Sequence, residues 1–86
     1  MEKLVKVLNE EGMHARPAGN FAKVAATFKS AVEIRANGQT KNGKSIMGIM
    51  SLGLAKDTEF AIVTKGEDES QALDALVALV NNKFAL

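Results

Sequence analysis

Apolar residues change their period several times along this chain, and each change marks the border of an element. Glu2 to Leu8 is rich in Val and Leu and ends at Asn9-Glu10-Glu11-Gly12, which predicts a strand running into a loop. From Arg16 the spacing becomes helical: Ala18, Phe21, Ala22, Ala25 and Phe28 recur at steps of three and four, and Pro17 suits a first helical turn. Val32, Ile34 and Ala36 then alternate with Glu33 and Arg35 up to Asn37-Gly38, a dipeptide that supplies two positive φ angles for a tight hairpin. A polar edge strand over Gln39 to Asn42 is expected next.

Gly43-Lys44-Ser45 introduces Ile46-Met47-Gly48-Ile49-Met50, a brief helix that Ser45 is placed to cap and that Gly53 ends. Phe60-Ala61-Ile62-Val63 reads as a buried strand closed by Gly66. Asp68, with Gln71 three residues on, has the form of a capping box. Leu73, Leu76, Val77, Val80 and Phe84 then make one apolar stripe of a last helix. The order strand, helix, strand, strand, short helix, strand, helix predicts an α+β two-layer sandwich. A small sheet covered on one face favours antiparallel pairing, while the order of the strands is not given by pattern.

Composition narrows the function classes. The chain has 86 residues, 47% of them apolar, so one domain over residues 1–86 is expected, without room for a second core. With no cysteine, disulfide frameworks, thiolate metal sites and cysteine nucleophiles are excluded together. Eleven Lys and Arg against ten Asp and Glu leave a net charge of +1, which gives no bulk attraction to nucleic acid or to an anionic membrane. The N-terminus alternates charge with aliphatics and lacks a secretory pattern. The longest apolar-rich stretch, Ile46 to Ala55, is roughly half the ~20 residues of a membrane span. A cytoplasmic protein without membrane insertion is expected.

The single imidazole, His14, stands in Gly12-Met13-His14-Ala15-Arg16-Pro17, at the junction between a loop and the first helix. A helix N-terminus presents unpaired amides and a partial positive charge, which suit a phosphate, and Arg16 adds a forked cationic donor. His14 is therefore a candidate nucleophile that carries a phosphoryl group, with Arg16 and the backbone around Arg16, Pro17 and Ala18 stabilising the added charge. By spacing alone the plainer reading, a solvated capping histidine, stands beside it. A metal site would need carboxylates converging on His14, and Glu10 and Glu11 are adjacent loop residues, so no metal and no cofactor is expected. Nothing directs Asp57, Asp68 or Asp74 towards His14 to complete a hydrolytic triad, so catalysis by this chain alone is not expected.

Gly38-Gln39-Thr40-Lys41-Asn42-Gly43-Lys44-Ser45 satisfies the phosphate-loop pattern G-x-x-x-x-G-K-[ST] letter for letter. Its context argues against it: Asn37-Gly38 reads as a hairpin turn, the next helix is about two turns, and a parallel nucleotide-binding sheet does not fit this length. Ile46, Met47, Ile49 and Met50 are too many apolar residues for so short a helix to bury on one side. Some must face out, and exposed methionines build adaptable docking surfaces. Lys23 and Lys44 would add positive charge around the same surface.

Gly12-Met13-His14-Ala15-Arg16-Pro17-Ala18, followed by Asn42-Gly43-Lys44-Ser45-Ile46-Met47-Gly48-Ile49-Met50, closely resembles the HPr family, the histidine-containing phosphocarriers of the bacterial sugar phosphotransferase system. The likeness covers the whole chain. It implies an open-faced sandwich of four antiparallel strands covered on one face by three helices. It also implies a stoichiometric relay in which enzyme I donates a phosphoryl group and enzyme IIA domains accept it. His14 matches the phosphorylated histidine, which uses Nδ1, and Arg16 the arginine that contacts the phosphate. Ser45 matches the serine that a regulatory kinase modifies in many relatives. Ile46, Met47 and Met50, with Gly19 and Lys23, match the docking patch. Further implied partners are an HPr serine kinase/phosphorylase and a transcriptional regulator, with the carrier itself a monomer. Met13 stands where leucine is frequent, and Gly19-Asn20 where alanine or larger residues are usual; Gly19 costs its helix up to ~1 kcal/mol relative to Ala. One regulatory paralogue lacks the histidine, and His14 argues against that version. A nitrogen-branch paralogue shares both motifs, and a non-covalent metabolite-binding α+β domain is the alternative from another class.

Overall fold

The two-residue periodicity is realised in four strands, β1 (Glu2–Lys6), β2 (Ala31–Ala36), β3 (Gln39–Asn42) and β4 (Glu59–Lys65), in a computed structural model that describes residues 1–85. The three helical stretches become α1 (Ala15–Ala26), α2 (Ile46–Met50) and α3 (Glu69–Asn81). The strands form one antiparallel sheet in the order β1-β4-β2-β3. Register places Val5 opposite Phe60, and Ile62 opposite Ile34. These residues, with Val32 and Ala36, make the buried face, while Leu4, Arg35 and Ala61 alternate onto the other. The β2–β3 hairpin has a two-residue turn, Asn37 at φ 54° and Gly38 at φ 74°, between paired Ala36 and Gln39; both φ angles have the sign that a twisted hairpin needs.

All three helices cover the same face. Ala18, Phe21, Ala22 and Ala25 of α1 and Leu73, Leu76, Leu79 and Val80 of α3 close over the sheet in one core with Ile49 of α2. The helix α2 packs on α1 and on the end of β3. Among the described residues, no helix is long and apolar enough to cross a membrane.

Four expectations are corrected by tertiary contacts. The first strand ends at Lys6 rather than Leu8, because Asp57, at φ 71°, turns the facing chain so that Val7 bonds to Thr58 O and Asp57 N. The first helix ends at Ala26 rather than Phe28; Thr27 closes it by donating from its own hydroxyl to Val24 O at 2.7 Å, and Phe28 is only half-buried. The Asp68/Gln71 capping box does not form. Asp68 instead accepts from the amides of Lys29 and Ser30, both at 2.9 Å, and from the Ser30 hydroxyl. Ser30 is 1% exposed, and leaving its polar groups unpaired would be costly, so the carboxylate goes there. Glu69 takes over the helix start by accepting from Gly66 N at 3.0 Å. Phe84 lies beyond the helix end: Lys83 and Phe84 are left-handed, at φ 56° and 63°, and Phe84 N donates to Leu79 O at 2.8 Å. Two such residues in a row cost roughly 1–2 kcal/mol each, offset by burial of the Phe84 ring at 2% exposure.

Candidate functional site

The loop before α1 is fastened at several points, so His14 has a fixed approach. Asn9 is buried; its Nδ2 donates to Gly12 O at 2.7 Å and its carbonyl accepts from Gly12 N at 3.2 Å. Gly12 has φ 73°, and a Cβ there would lie 2.7 Å from Leu54 O, so glycine is required by both conformation and space. Met13 N donates to that Leu54 carbonyl at 2.7 Å, and its side chain is buried. The chain then emerges at His14, the extended N-cap residue of α1, exposed and with no side-chain cap bond. Its carbonyl accepts from Ala18 N at 2.9 Å.

That bond refines the expected anion-binding backbone. Ala18 N–H is already used, and Pro17 has no N–H, so the helix-start donors open to an anion are the amides of Ala15 and Arg16. Pro17 and Ala18 contribute by burial instead, anchoring the first turn in the core. Arg16 is exposed and makes no ion pair within 4 Å among the described residues. Arg16 lines a cleft shared with Glu11, Pro17, Asn20, Lys83, Phe84 and Ala85. Asn20 Nδ2 holds the far wall by donating to Phe84 O at 2.8 Å.

The helix α2 brings the other half of the site. Ser45 caps it as expected, its Oγ accepting from Gly48 N at 3.0 Å. Ile49 is completely buried and Met50 packs partly on the core. Ile46 and Met47 face out, at 44% and 77% exposure. The α1 and α2 surfaces meet at Gly19, where a Cβ would sit 4.0 Å from Ile46 Cδ1. The apolar patch is thus continuous with the first helix although 23 residues of sequence lie between the two motifs. Lys23 lies exposed in the last turn of α1. Lys44 is less free: its ammonium donates to Phe28 O at 2.9 Å, so it completes the end of the α1 region.

The phosphate-loop match is dismantled by the same geometry. Gly38 is in the hairpin turn, residues 39–42 are strand β3, and α2 has five residues.

A family model, described as the PTS HPr component phosphorylation site, matches residues 1–82. The chain belongs to the HPr family. Phosphocarrier protein HPr of Neisseria meningitidis, from strains of serogroups A and B, is 40% identical over 84 residues, covering 98% of this chain and 94% of that protein. The crystal structure of HPr-C-His from Thermoanaerobacter tengcongensis superposes with a TM-score of 0.94 at 39% identity, covering 98% of this chain and 94% of the other. An HPr dimer from the same organism has a TM-score of 0.77 at 38% identity, over 95% and 94% of the two chains. Membership makes the chain a phosphocarrier of the phosphotransferase system, in the context of sugar transport.

Within this HPr fold, three residues in the cleft were not singled out from the sequence: Glu11, Asn20 and Lys83. In the sequence Glu11 reads only as a poor metal ligand. Lys83 had no local signal at all, since its position depends on the left-handed hook after α3.

Proposed function

We propose that His14 is the residue that accepts a phosphoryl group from phosphorylated enzyme I and passes it to enzyme IIA domains, with residues 1–86 acting as one stoichiometric carrier and not as an enzyme. The observation that carries this reading is the coincidence, on one exposed edge, of the sole imidazole, two unbonded helix-start amides, the unpaired Arg16 and the outward Ile46 and Met47. In loading, the Nδ1 lone pair attacks phosphorus, an N–P bond forms, and the bond to the donor breaks with its electron pair staying on the donor. The Ala15 and Arg16 amides and the guanidinium then face the new negative charge. Unloading is the reverse step toward an acceptor. All the groups come from one chain, so a monomer suffices.

Docking falls to Ile46 and Met47, with Met50 and Gly19 beneath and beside them and Lys23 on the rim. Ser45 is the proposed regulatory position. A phosphate there would add nearly two negative charges at the start of α2, compatible with the helix, while placing charge beside Met47 where an apolar partner must lie. Incubation with phosphoenolpyruvate and enzyme I tests the assignment: the parent protein is expected to gain one acid-labile phosphate, and His14→Ala none while melting at the same temperature. Labelling retained in His14→Ala would remove the histidine from the relay. A parent protein that gains no phosphate would leave the non-covalent binding domain in its place.

A further inference from the structure

We propose that Glu11 and Lys83 set, in opposite directions, how strongly His14 holds its phosphoryl group; the proposal rests on the reading of His14 as the phosphoryl carrier. Loading adds a group with nearly two negative charges to the imidazole, so any charge nearby shifts the balance between the free and loaded forms. Both residues line the cleft that contains Arg16. Glu11 is three residues from His14, which keeps their Cα atoms within about 10 Å.

Both side chains are exposed, but the backbones that carry them are fixed. The backbone of Glu11 is pinned by the Asn9–Gly12 bonds, by Met13 N on Leu54 O, and by the neighbouring Glu10, which is held by Lys56 at 2.9 Å. Lys83 is carried on the left-handed hook, fixed by the buried Phe84 ring and by Asn20 on the Phe84 carbonyl. Glu11 and Lys83 make no ion pair within 4 Å among the described residues, whereas Glu10 does. Lys83 also lies close enough to Glu10 to favour its ionised form, after the larger effect of the Lys56 hydrogen bond and charge. The charged groups around the cleft are thus Arg16 from α1, Glu10, Glu11 and Lys56 from the loops, and Lys83 from the hook. Of these, Glu10 and Lys56 neutralise one another, and Arg16 faces the phosphoryl group directly. Glu11 then opposes loading and favours release, while Lys83 favours retention. With its Cα within about 10 Å of that of His14, the Glu11 charge acting on a dianion in a solvated cleft changes an equilibrium about two- to five-fold at low salt, and Lys83, which shares the cleft with Arg16, acts with the opposite sign.

The test uses the full chain with enzyme I and a fixed mixture of phosphoenolpyruvate and pyruvate, with the loaded-to-free ratio of the carrier read by phosphorus NMR. The net reaction makes one N–P bond on the carrier and breaks the P–O bond of phosphoenolpyruvate, which leaves as pyruvate, so at a fixed mixture of the two a difference in ratio between variants reports the strength of the carrier's bond. Glu11→Gln is expected to raise the ratio two- to five-fold and Lys83→Gln to lower it by a similar factor. Glu11→Asp is expected to stay at the parent value, and both shifts to shrink toward unity in 0.5 M salt. A merely structural role would not move the two neutralised variants in opposite directions. Equal ratios in all proteins, shifts of the same sign, or shifts that survive high salt would overturn the proposal. A parent that takes no phosphate at all would instead overturn the reading of His14.

Discussion

Ile49 and Met47 lie two positions apart on α2, and their opposite exposures separate docking from folding. Ile49 is fully buried and belongs to the core. Its truncation to Ala removes buried methyl groups and leaves a space, at about 3 kcal/mol within a usual range of 2–5. In a domain of this size, that lowers the melting temperature by about 12–24 °C. Met47 keeps 77% of its surface exposed, so no more than a quarter of the 1.5–3 kcal/mol of a buried side chain is at stake, about 0.5 kcal/mol or 2–4 °C. A Met47→Glu variant therefore melts close to the parent. Docking reverses the order of severity: a charge at the centre of an apolar contact costs a transient partner 1–2 kcal/mol or more, so half-saturation of enzyme I with carrier rises about 5- to 30-fold. The assay pairs thermal unfolding with the dependence of His14 phosphorylation rate on carrier concentration. A Met47→Glu melting point as low as that of Ile49→Ala would refute the division, and so would an unchanged half-saturation concentration.

Five further outcomes are open to measurement. Arg16→Ala is expected to fold as the parent does and slow transfer by about tenfold, since one charge-assisted donor is lost while two backbone amides remain; stopped-flow phosphorylation checks this. Ser45→Ala loses the bond to Gly48 N and about 1 kcal/mol, lowering the melting temperature by 4–8 °C. Ser45→Asp melts no lower than the parent but raises the half-saturation concentration of enzyme I, and a fall in maximal rate alone would point to long-range coupling instead. The Ser30 hydroxyl and the amides of Lys29 and Ser30 hold Asp68 down to about 2, from an ordinary 3.8. A depressed carboxylate stabilises above its unfolded value and loses that contribution as pH falls from about 4 through 2, so Asp68→Asn is expected to flatten the acid limb of a melting-temperature profile over that window. Gly19→Ala is expected to raise the melting temperature, because it restores helix propensity worth up to ~1 kcal/mol and its Cβ meets only Ile46 Cδ1, at 4.0 Å; a fall would show that α1 and α2 need a closer approach.

Features closed within a few residues were legible in the sequence. Asn37-Gly38 formed its hairpin and Ser45 its cap, because each depends on local φ angles or on a bond to a residue three positions away. The surplus of apolar residues on α2 correctly implied an outward pair, though only the structure selects Ile46 and Met47 over Ile49. Periodicity tells which face a strand buries and not which strand lies beside it, so the order β1-β4-β2-β3 required tertiary contacts. The Asp68 error has the same origin. A carboxylate three residues before a glutamine suggests a local cap, but its strongest partner, Ser30, is 38 positions away. In the candidate site, His14 and Arg16 were legible because they stand in one short motif. Lys83 was not, since it reaches the cleft only through two left-handed residues that carry no glycine to announce them.

The helix that presents Met47 has five residues, well below the ~12 at which a helix is even marginal in water by itself. Everything that keeps it formed lies outside its own hydrogen-bonded turn: the Ser45 hydroxyl, the buried Ile49 side chain, and the faces of α1 and β3 beneath it. Its shape is therefore on loan from the core, and small openings of that packing are felt there first. On warming, α2 is expected to lose its form while the sheet is still intact, so transfer from enzyme I is expected to stop at a lower temperature than the one at which the protein unfolds.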